Sequence, residues 1–231
     1  DSCVELGAGK GYLGSMLAES KGIRHLVFVD RGSFTHKADK ILKYRDAMRV
    51  ERVTCDLKDY NMGLMPSLQE RKVLVVGKHL CGGATDLALH LSTRDDTARR
   101  LTLTGVGIAT CCHHRCSWDA YVAKAVLARL GFTAREFETV SWMCGWALCG
   151  HDVKAGTKEE EELRDRRARE AFPMFSREER VRAGMACKRL IDLGRATWLR
   201  EEKGLRVGLA KYAPTEVTGE NTLLLCKKCE E

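Results

Sequence analysis

A glycine-rich loop preceded by an acid is the first part of the chain whose residue types suggest chemistry. Glu5 comes shortly before Gly7, Gly9 and Gly11. Glycines at this spacing let the backbone approach a nucleotide-like ligand, and the helix that follows offers free N–H groups. Gly9, Gly11 and Gly14 also satisfy G-x-G-x-x-G, so the loop alone fits a dinucleotide as well as S-adenosylmethionine, whereas a phosphate loop is excluded because no Gly-Lys-Ser/Thr closes it.

Three acids at successive strand ends distinguish between a dinucleotide and S-adenosylmethionine as the ligand. Glu5 suits the methionine ammonium group and would repel a pyrophosphate. Asp30 can accept hydrogen bonds from ribose hydroxyls, and Asp56 can accept one from the adenine amino group. Their order predicts S-adenosylmethionine rather than NAD. The predicted cofactor-binding residues are Glu5, Gly7, Ala8, Gly9, Gly11, Asp30, Arg31, Asp56 and Leu57.

Lysine and histidine residues follow the fourth and fifth predicted strands, in VVGKHLCGGATD (75–86) and IATCCHHRC (108–116). Such side chains can remove or guide the proton of a hydroxyl acceptor when their surroundings tune their pKa values. No Asn/Asp-Pro-Pro-aromatic motif follows the fourth strand, which disfavours an amine acceptor. The predicted catalytic residues are Lys78, His79, His113, His114 and Lys10, with the general base left open among them.

The cysteines of the same two segments leave a second chemistry open. Cys81 or Cys111 could add to C6 of a pyrimidine and activate its C5 for methylation. No metal site is predicted, because adjacent residues such as Cys111 and Cys112 alternate sides of a strand, and Cys226-Lys-Lys-Cys229 has no second pair. The odd count of 11 cysteines favours buried, reduced thiols, and therefore the nucleus or cytoplasm.

Alternating strand and helix patterns must position these side chains. The predicted strands are 2–6, 25–29, 50–54, 72–76, 105–110, 205–212 and 221–226, and the predicted helices are 11–21, 37–48, 84–91, 118–130 and 177–203. The first five strands alternate with helices and are apolar throughout, which predicts an α/β fold with a parallel sheet covered by helices on both faces. The last two are joined by a short loop and should pair antiparallel. Together they predict a mostly parallel seven-stranded sheet of the class I, Rossmann-like methyltransferase type.

The 231 residues are predicted to form a single methyltransferase catalytic domain, 1–231, with a charged helical insertion around 150–176. No apolar run reaches the roughly 18 residues of a membrane span, so no membrane partner is predicted. The net charge of +7 is compatible with a polyanionic partner. The predicted RNA-binding residues are Arg115, on the loop after the fifth strand, and Lys188, Arg189 and Arg195, on the basic face of the long helix.

Four motifs carry a family resemblance: GAGKG (7–11), VDR followed by KAD (29–31 and 37–39), GKHLCGGATDLAL (77–89) and CCHHRC (111–116). They resemble the eukaryotic tRNA ribose 2′-O-methyltransferase family that modifies position 4 of the acceptor stem. CKRLIDLGRATWL (187–199) and ENTLLL (220–225) are similar to its last helix and strand.

This resemblance implies S-adenosylmethionine as donor, S-adenosylhomocysteine as product and a tRNA ribose 2′-hydroxyl as acceptor. Members typically carry zinc-finger modules, which we expect outside this chain, and we expect a monomer. A C5-pyrimidine RNA methyltransferase and an NAD-dependent oxidoreductase remain the alternative interpretations.

Overall fold

The computed structural model of the protein describes residues 1–19, 22–33, 48–148 and 173–228, together with 159, 162, 163, 166 and 170. The described strands are β1 (Ser2–Leu6), β2 (His25–Asp30), β3 (Arg49–Thr54), β4 (Lys72–Lys78), β5 (Thr102–Thr110), β6 (Leu205–Lys211) and β7 (Thr222–Lys228). The described α-helices are α1 (Tyr12–Leu17), α2 (Gly83–Ser92), α3 (Asp95–Arg100), α4 (Lys124–Arg129), α5 (Ala134–Cys144) and α6 (Arg177–Glu201).

All seven strands belong to one sheet, in the order β3-β2-β1-β4-β5-β7-β6. Strands β1 to β5 are mutually parallel, and β7 lies antiparallel between β5 and β6. The chain leaves β1 first towards β2 and β3 and then returns to β4 on its other side. Ligands of open α/β sheets bind at such a switch, outside the carboxyl ends of the strands. The predicted mixed sheet with its antiparallel C-terminal pair is confirmed.

The central strands are buried on both faces. Val4 and Leu6 of β1 pack into the larger hydrophobic cluster, which also contains Phe137 of α5 and Leu199 of α6. Cys3, which points to the opposite face, belongs to a second cluster. Because neighbouring residues of one strand face opposite sides, helices on both faces explain why the central strands lack polar alternation.

The segment after β5 differs from the sequence prediction. A helix was predicted over 118–130, but only Lys124–Arg129 is α-helical, and the next helix, α5, was not predicted at all. Thr133 and Glu136 form a capping box at its start, in which Glu136 Oε2 accepts a hydrogen bond from Thr133 N at 2.8 Å. This T-x-x-E pattern in the sequence was the available signal.

Helix α6 begins close to its predicted start, because Ser176 and Glu179 form a second capping box there. The predicted helix over 37–48 lies, apart from Met48, outside the described residues. Most of the charged insertion also lies outside them, although residues 159, 162, 163, 166 and 170 are helical and exposed. Within the described part of the chain, no helix has the length and apolarity needed to cross a membrane.

Candidate cofactor and acceptor site

The glycine loop folds over the end of β2. The N–H groups of Gly7 and Ala8 both donate to the carbonyl of Val29, at 2.9 and 3.1 Å. Gly11 adopts a left-handed φ of 78°, and a Cβ at this position would lie 2.8 Å from Arg52 Nη2 and 3.2 Å from the ring of Phe28. The left-handed backbone therefore favours glycine at this point of the loop, and a larger residue would also have to displace the Arg52 guanidinium.

Glu5 is buried beneath this loop, and its Oε2 accepts a hydrogen bond of 2.7 Å from Gly14 N in the first turns of α1. Burial raises the pKa of Glu5 to about 7, although the Gly14 hydrogen bond and the charge of Arg52 act in the opposite direction. Glu5 thus fastens α1 to β1. Its predicted contact with a methionine ammonium group stays a prediction.

Asp30 and Asp56 lie at the ends of neighbouring strands. Asp30 Oδ2 accepts from Gly9 N and Oδ1 accepts from Gly32 N, each at 2.9 Å. Asp56 Oδ1 accepts from Lys58 N at 3.1 Å. A carboxylate has about four acceptor positions, so both side chains can accept further hydrogen bonds from a ligand. Of the other two predicted contacts, Arg31 is exposed and Leu57 is half-buried.

Arg52 is a residue of this site that the sequence prediction missed. Its Nη1 donates to the carbonyl of Gly9 at 3.0 Å, and its guanidinium lies 4.6 Å from the centre of the Phe28 ring. Phe28 and Arg52 occupy the same register in β2 and β3. The sequence signal that could have identified Arg52 was a cation within β3, a strand that pairs with the apolar β2. Arg52 brings a positive charge under the loop, between Gly9 and the buried Glu5.

The second group of predicted residues lies where β4 and β5 end. Lys78 and His79 are exposed, and the backbone turns sharply at His79, which has a φ of 62°. His114 and Arg115 are exposed in the 3-10 turn His113–Arg115 after β5. The two loops touch at Gly82, where a Cβ would lie 2.3 Å from the carbonyl oxygen of Arg115. Four of the predicted polar side chains therefore share one edge of the sheet. Lys10 is exposed in the glycine loop.

His113, which was predicted with His114 as a candidate residue of the acceptor pocket, does not belong to this exposed group. Its side chain is 1% exposed. Nε2 lies 2.9 Å from Asp192 Oδ1, and Nδ1 lies 3.8 Å from Glu220 Oε2. His113 therefore pairs with carboxylates inside the protein, beneath the turn that carries His114.

Two of the residues predicted to contact RNA have buried side chains. Arg195 is fully enclosed; it donates to Asp86 from both Nε and Nη2 and to Asp192 from Nη1. Lys188 Nζ donates to the carbonyl of Gly219 at 2.7 Å and lies 3.1 Å from Glu220 Oε2. The helix periodicity placed both on a basic face but could not show that this face meets buried acids. Arg115 and Arg189 are exposed, as an RNA contact requires.

Asp192 is the centre of this buried network. Burial alone would raise its pKa, but the charges of His113 and Arg195 and the Thr110 hydroxyl, which donates to Oδ2 at 2.9 Å, hold the pKa at about 2. The carboxylate is therefore ionised across the physiological range and stabilises the cations around it.

The thiols of Cys81, Cys111 and Cys112 lie together beside the same turn. The hydrogen bond from Cys111, aided by Cys81, lowers the pKa of Cys112 to about 6. Hydrogen bonding to Cys112 together with burial raises the pKa of Cys111, and burial raises that of Cys81. The two cysteines predicted as alternative nucleophiles are therefore protonated at neutral pH.

A large apolar cavity of about 840 Å³ runs along the sheet face formed by β4 to β7, and Lys78 at the end of β4 lines part of it. Its walls include Leu13 and Leu17 of α1, Leu74 of β4 and Leu225 of β7. Glu5 and the two strand-end aspartates do not line it. The candidate site combines the glycine loop with the exposed side chains at the ends of β4 and β5.

The strand order, the glycine loop after β1 and the acids at the strand ends define a class I S-adenosylmethionine-dependent methyltransferase. The methyltransferase domain of bacterial CtHen1-C is similar in fold, with a TM-score of 0.50 and 14% identity, over 98% of this chain and 89% of that one. The family model described as "Methyltransferase TRM13" matches residues 1–227. The chain belongs to that family.

Curated relatives are similar over most of the chain. The "tRNA:m(4)X modification enzyme TRM13 homolog" of Mus musculus is 30% identical over 283 residues, which cover 96% of this chain and 58% of the relative. The "tRNA:m(4)X modification enzyme TRM13" of Scheffersomyces stipitis is 34% identical over 211 residues, which cover 85% and 49%. The chain thus spans about half the length of these relatives.

Fold and family decide two of the sequence predictions. S-adenosylmethionine is the cofactor of this class of methyltransferase, as predicted. The NAD-dependent oxidoreductase alternative is wrong, because the chain belongs to a methyltransferase family.

Proposed function

We propose that this chain is the catalytic domain of a tRNA methyltransferase that transfers a methyl group from S-adenosylmethionine to the ribose 2′-hydroxyl at position 4 of the acceptor stem. The observation that carries the proposal is the exposed edge formed by Lys78, His79, His114 and Arg115 next to the glycine loop. The relatives' names refer to tRNA:m(4)X modification and leave the methylated atom open.

The residues around the glycine loop fit the donor. The acids suit its three polar parts: Glu5 the methionine ammonium, Asp30 the ribose hydroxyls and Asp56 the adenine amino group. At Gly11 a side chain would strain the left-handed backbone and contact Arg52 and Phe28. When bound, the sulfonium of S-adenosylmethionine supplies an electrophilic methyl group. Arg52 holds the carbonyl of Gly9 and thereby fixes the shape of the loop.

The exposed edge supplies what a 2′-hydroxyl requires. The hydroxyl must lose its proton as it attacks, and Lys78, His79 or His114 can accept or guide that proton. Lys10, which is exposed on the glycine loop, is a further candidate for this role. Arg115 can bind the neighbouring phosphate, because a guanidinium pairs with two phosphate oxygens. The buried His113 pairs with Asp192 and supports the turn that carries His114.

The rival C5-pyrimidine reaction requires a thiolate at C6 of the base. Burial keeps the pKa of Cys81 above its ordinary value, and hydrogen bonding keeps that of Cys111 above it, which disfavours both as nucleophiles. Cys112 has a lowered pKa and is the one thiol of this cluster that suits the reaction. The hydroxyl acceptor is favoured because four exposed lysine and histidine side chains could accept its proton, whereas only one thiol of the cluster suits attack on a pyrimidine.

Methyl transfer to chemically defined tRNA tests the proposal. Unmodified tRNA should acquire label from methyl-labelled S-adenosylmethionine, and nucleoside analysis should give a 2′-O-methylnucleoside. The same tRNA with a single 2′-deoxynucleotide at position 4 should acquire none. A methylated base, or methylation that survives the 2′-deoxy substitution, would overturn the proposal. Trapping of the protein on 5-fluoropyrimidine RNA, lost in Cys112→Ser, would replace it with the C5 reaction.

Single substitutions then assign the proton acceptor. Lys78→Met, His79→Asn, His114→Asn and Lys10→Met are compared under single-turnover conditions at saturating S-adenosylmethionine. Loss of about 10²-fold or more in the methyl-transfer rate marks the general base. Arg100→Ala, at the end of α3 and on the opposite edge of the sheet, is the matched control.

Three further expectations belong to the same proposal: the domain is a monomer, it acts in the nucleus or cytoplasm, and zinc-finger modules accompany it outside this chain. Light scattering of the purified chain measures its mass in solution, and a stable dimer would remove the first expectation.

A further inference from the structure

Three cysteine side chains lie together where β4 and β5 end. Cys81 follows β4, and Cys111 and Cys112 follow β5. Their Sγ atoms all lie within 4.8 Å of one another, and those of Cys81 and Cys111 are 3.8 Å apart. Among the described residues, no other group of three His, Cys, Asp or Glu side chains is as compact.

The backbone explains why the three side chains converge. β4 and β5 are parallel neighbours, so the segments that follow them leave the sheet side by side, and Gly82 N donates to the carbonyl of Cys111 at 3.4 Å. Cys112 has φ 49° and ψ 44°, which is a left-handed conformation rather than an extended one. Adjacent residues alternate sides only in extended backbone. The reason for expecting that Cys111 and Cys112 could not share a ligand therefore does not apply.

The spacing of the sulfurs matches that of metal ligands. Zinc binds thiolate sulfur at about 2.3 Å in a tetrahedral arrangement, so two of its sulfur ligands lie about 3.8 Å apart. The Cys81–Cys111 distance has this value, and it is far longer than the roughly 2.05 Å of a disulfide. The Sγ atom of Cys112 lies within 4.8 Å of each of the other two sulfurs. Small side-chain rotations would therefore let all three sulfurs bind one ion.

We propose that Cys81, Cys111 and Cys112 bind one zinc ion through their three thiolates, with the fourth coordination position open to water. Binding forms three sulfur–zinc bonds, and every thiol that is still protonated releases its proton to the solvent. Three thiolates around Zn²⁺ leave a net charge of −1, and Arg115, whose charge acts on both Cys81 and Cys112, offsets it.

Such an ion would join the loops after β4 and β5. The first loop carries His79, and the second carries His114 and Arg115. A zinc ion between them would fix the exposed side chains of the two loops relative to each other. We assign the ion this positioning role, and the proposal does not depend on which atom of the tRNA is methylated.

Metal analysis of the purified chain tests the site. Protein prepared without chelators, or exposed to Zn²⁺ and desalted, should contain about one zinc per chain. Cys81→Ser, Cys111→Ser and Cys112→Ser should each lower this content severalfold, and a double Cys81→Ser/Cys111→Ser variant should abolish it. Cobalt substitution should give a sulfur-to-cobalt charge-transfer band that the same variants lose.

Two controls separate this site from the other cysteines. Cys187→Ser changes a half-buried cysteine of α6, and Cys149→Ser/Cys229→Ser changes two cysteines outside the described residues; both should keep the zinc. Thermal unfolding and S-adenosylhomocysteine binding report whether each variant is folded. If the cluster variants do not fold, thiol labelling of the unmodified chain replaces them. Chelator should then expose Cys81, Cys111 and Cys112 to alkylation, as identified by mass spectrometry.

Three results would overturn the proposal. The first is a folded chain that takes up no zinc or cobalt. The second is a zinc content unchanged in the Cys81→Ser/Cys111→Ser variant. The third is labelling of the three thiols that is equal with and without chelator.

Discussion

Oδ1 of Asp192, in α6, lies 2.9 Å from Nε2 of His113 in the turn that follows β5, and both side chains are buried. The same carboxylate accepts hydrogen bonds from Thr110 at 2.9 Å and from Arg195 at 3.1 Å. The long C-terminal helix therefore holds the turn that presents His114 and Arg115. Residues far apart in the sequence cooperate because α6 packs across the end of the sheet where the candidate acceptor site lies.

Replacing Asp192 by asparagine should be strongly destabilising. The amide has nearly the same shape, but it leaves the charge of Arg195 less compensated and His113 without its carboxylate. Breaking a buried ion pair from one side costs about 3–5 kcal/mol, and we expect a loss in this range from urea unfolding monitored by circular dichroism. Asp95→Asn is the matched control, because Asp95 is 85% exposed and 3.9 Å from Lys203, and such pairs contribute little.

The loss of unfolding free energy in Asp192→Asn should depend on pH, because the pKa of Asp192 is low. The pKa of Asp192 is about 2 in the folded protein, against an ordinary pKa of 3.8. Its carboxylate therefore contributes its full stability at pH values above 3.8. This contribution is lost as the pH falls from 3.8 to about 2. The difference in unfolding free energy between the unmodified chain and Asp192→Asn should therefore be constant from pH 8 to about 4 and shrink below that. A difference that already shrinks between pH 7 and 5 would contradict the assignment.

Gly11→Ala should destabilise the protein more than Gly131→Ala, although the two substitutions strain the backbone by similar amounts. Gly11 and Gly131 have similar left-handed φ values of 78° and 85°, but a Cβ at Gly131 would meet nothing within 4 Å. Gly131→Ala should cost about 1–2 kcal/mol from backbone strain alone. Gly11→Ala adds the contact with Arg52 and Phe28, for which we expect a further 1–3 kcal/mol.

S-adenosylhomocysteine titrations by calorimetry separate this effect from stability alone. Gly11→Ala should bind the ligand at least about tenfold more weakly, which corresponds to about 1.4 kcal/mol, whereas Gly131→Ala should bind it normally. Equal behaviour of the two variants in both measurements would show that the loop has room to adapt.

The sequence predicted the fold better than the site, for physical reasons that particular residues make clear. The strands and the parallel or antiparallel sense of their pairing follow from local apolar patterns and connection lengths, and the place of Asp30 follows from its position at a strand end. The roles of His113 and Arg195 depend on Asp192 and Asp86, which reach them only through tertiary packing. A helix periodicity assigns Arg195 to a face but cannot say whether that face meets solvent or buried acids. Likewise, the left-handed backbone at Cys112 has no signal in its residue type.

Glu5→Gln should raise the stability of the ligand-free protein and lower its affinity for cofactor. Burial raises the pKa of Glu5 from an ordinary 4.5 to about 7. The carboxylate therefore destabilises the fold once ionised, and stability is lost as the pH rises from about 4.5 to 7. At pH 8 the penalty is up to about 3 kcal/mol, and the glutamine, which can still accept from Gly14, should recover part of it.

The ligand affinity should change in the opposite direction. If Glu5 binds the methionine ammonium group, its ionised fraction sets the affinity, which should rise about tenfold from pH 6 to 8 in the unmodified chain. In Glu5→Gln the affinity should be lower at pH 8 and nearly independent of pH. A pH dependence that persists in Glu5→Gln would mean that another group binds the ammonium, and Glu5 would keep only its role in holding α1.

Arg115 and Arg189 should contact RNA, whereas Lys188 should act only in the fold. Phosphate contacts release counterions, so the logarithm of the tRNA affinity falls linearly with the logarithm of the salt concentration, and each lost contact reduces the slope by about one. Arg115→Ala and Arg189→Ala should each reduce the slope by about this amount in filter-binding titrations, without changing the unfolding free energy by more than about 0.5 kcal/mol.

Two further variants are the controls. Lys188→Ala should lower the unfolding free energy and leave the salt slope unchanged, because it removes a buried cation from Glu220 and Gly219 and leaves the exposed surface unchanged. Arg100→Ala, an exposed arginine before β5 at the opposite edge of the sheet, should change neither quantity. If Arg100→Ala reduced the slope as much as Arg189→Ala, the tRNA would not be bound at the edge that carries the candidate acceptor site.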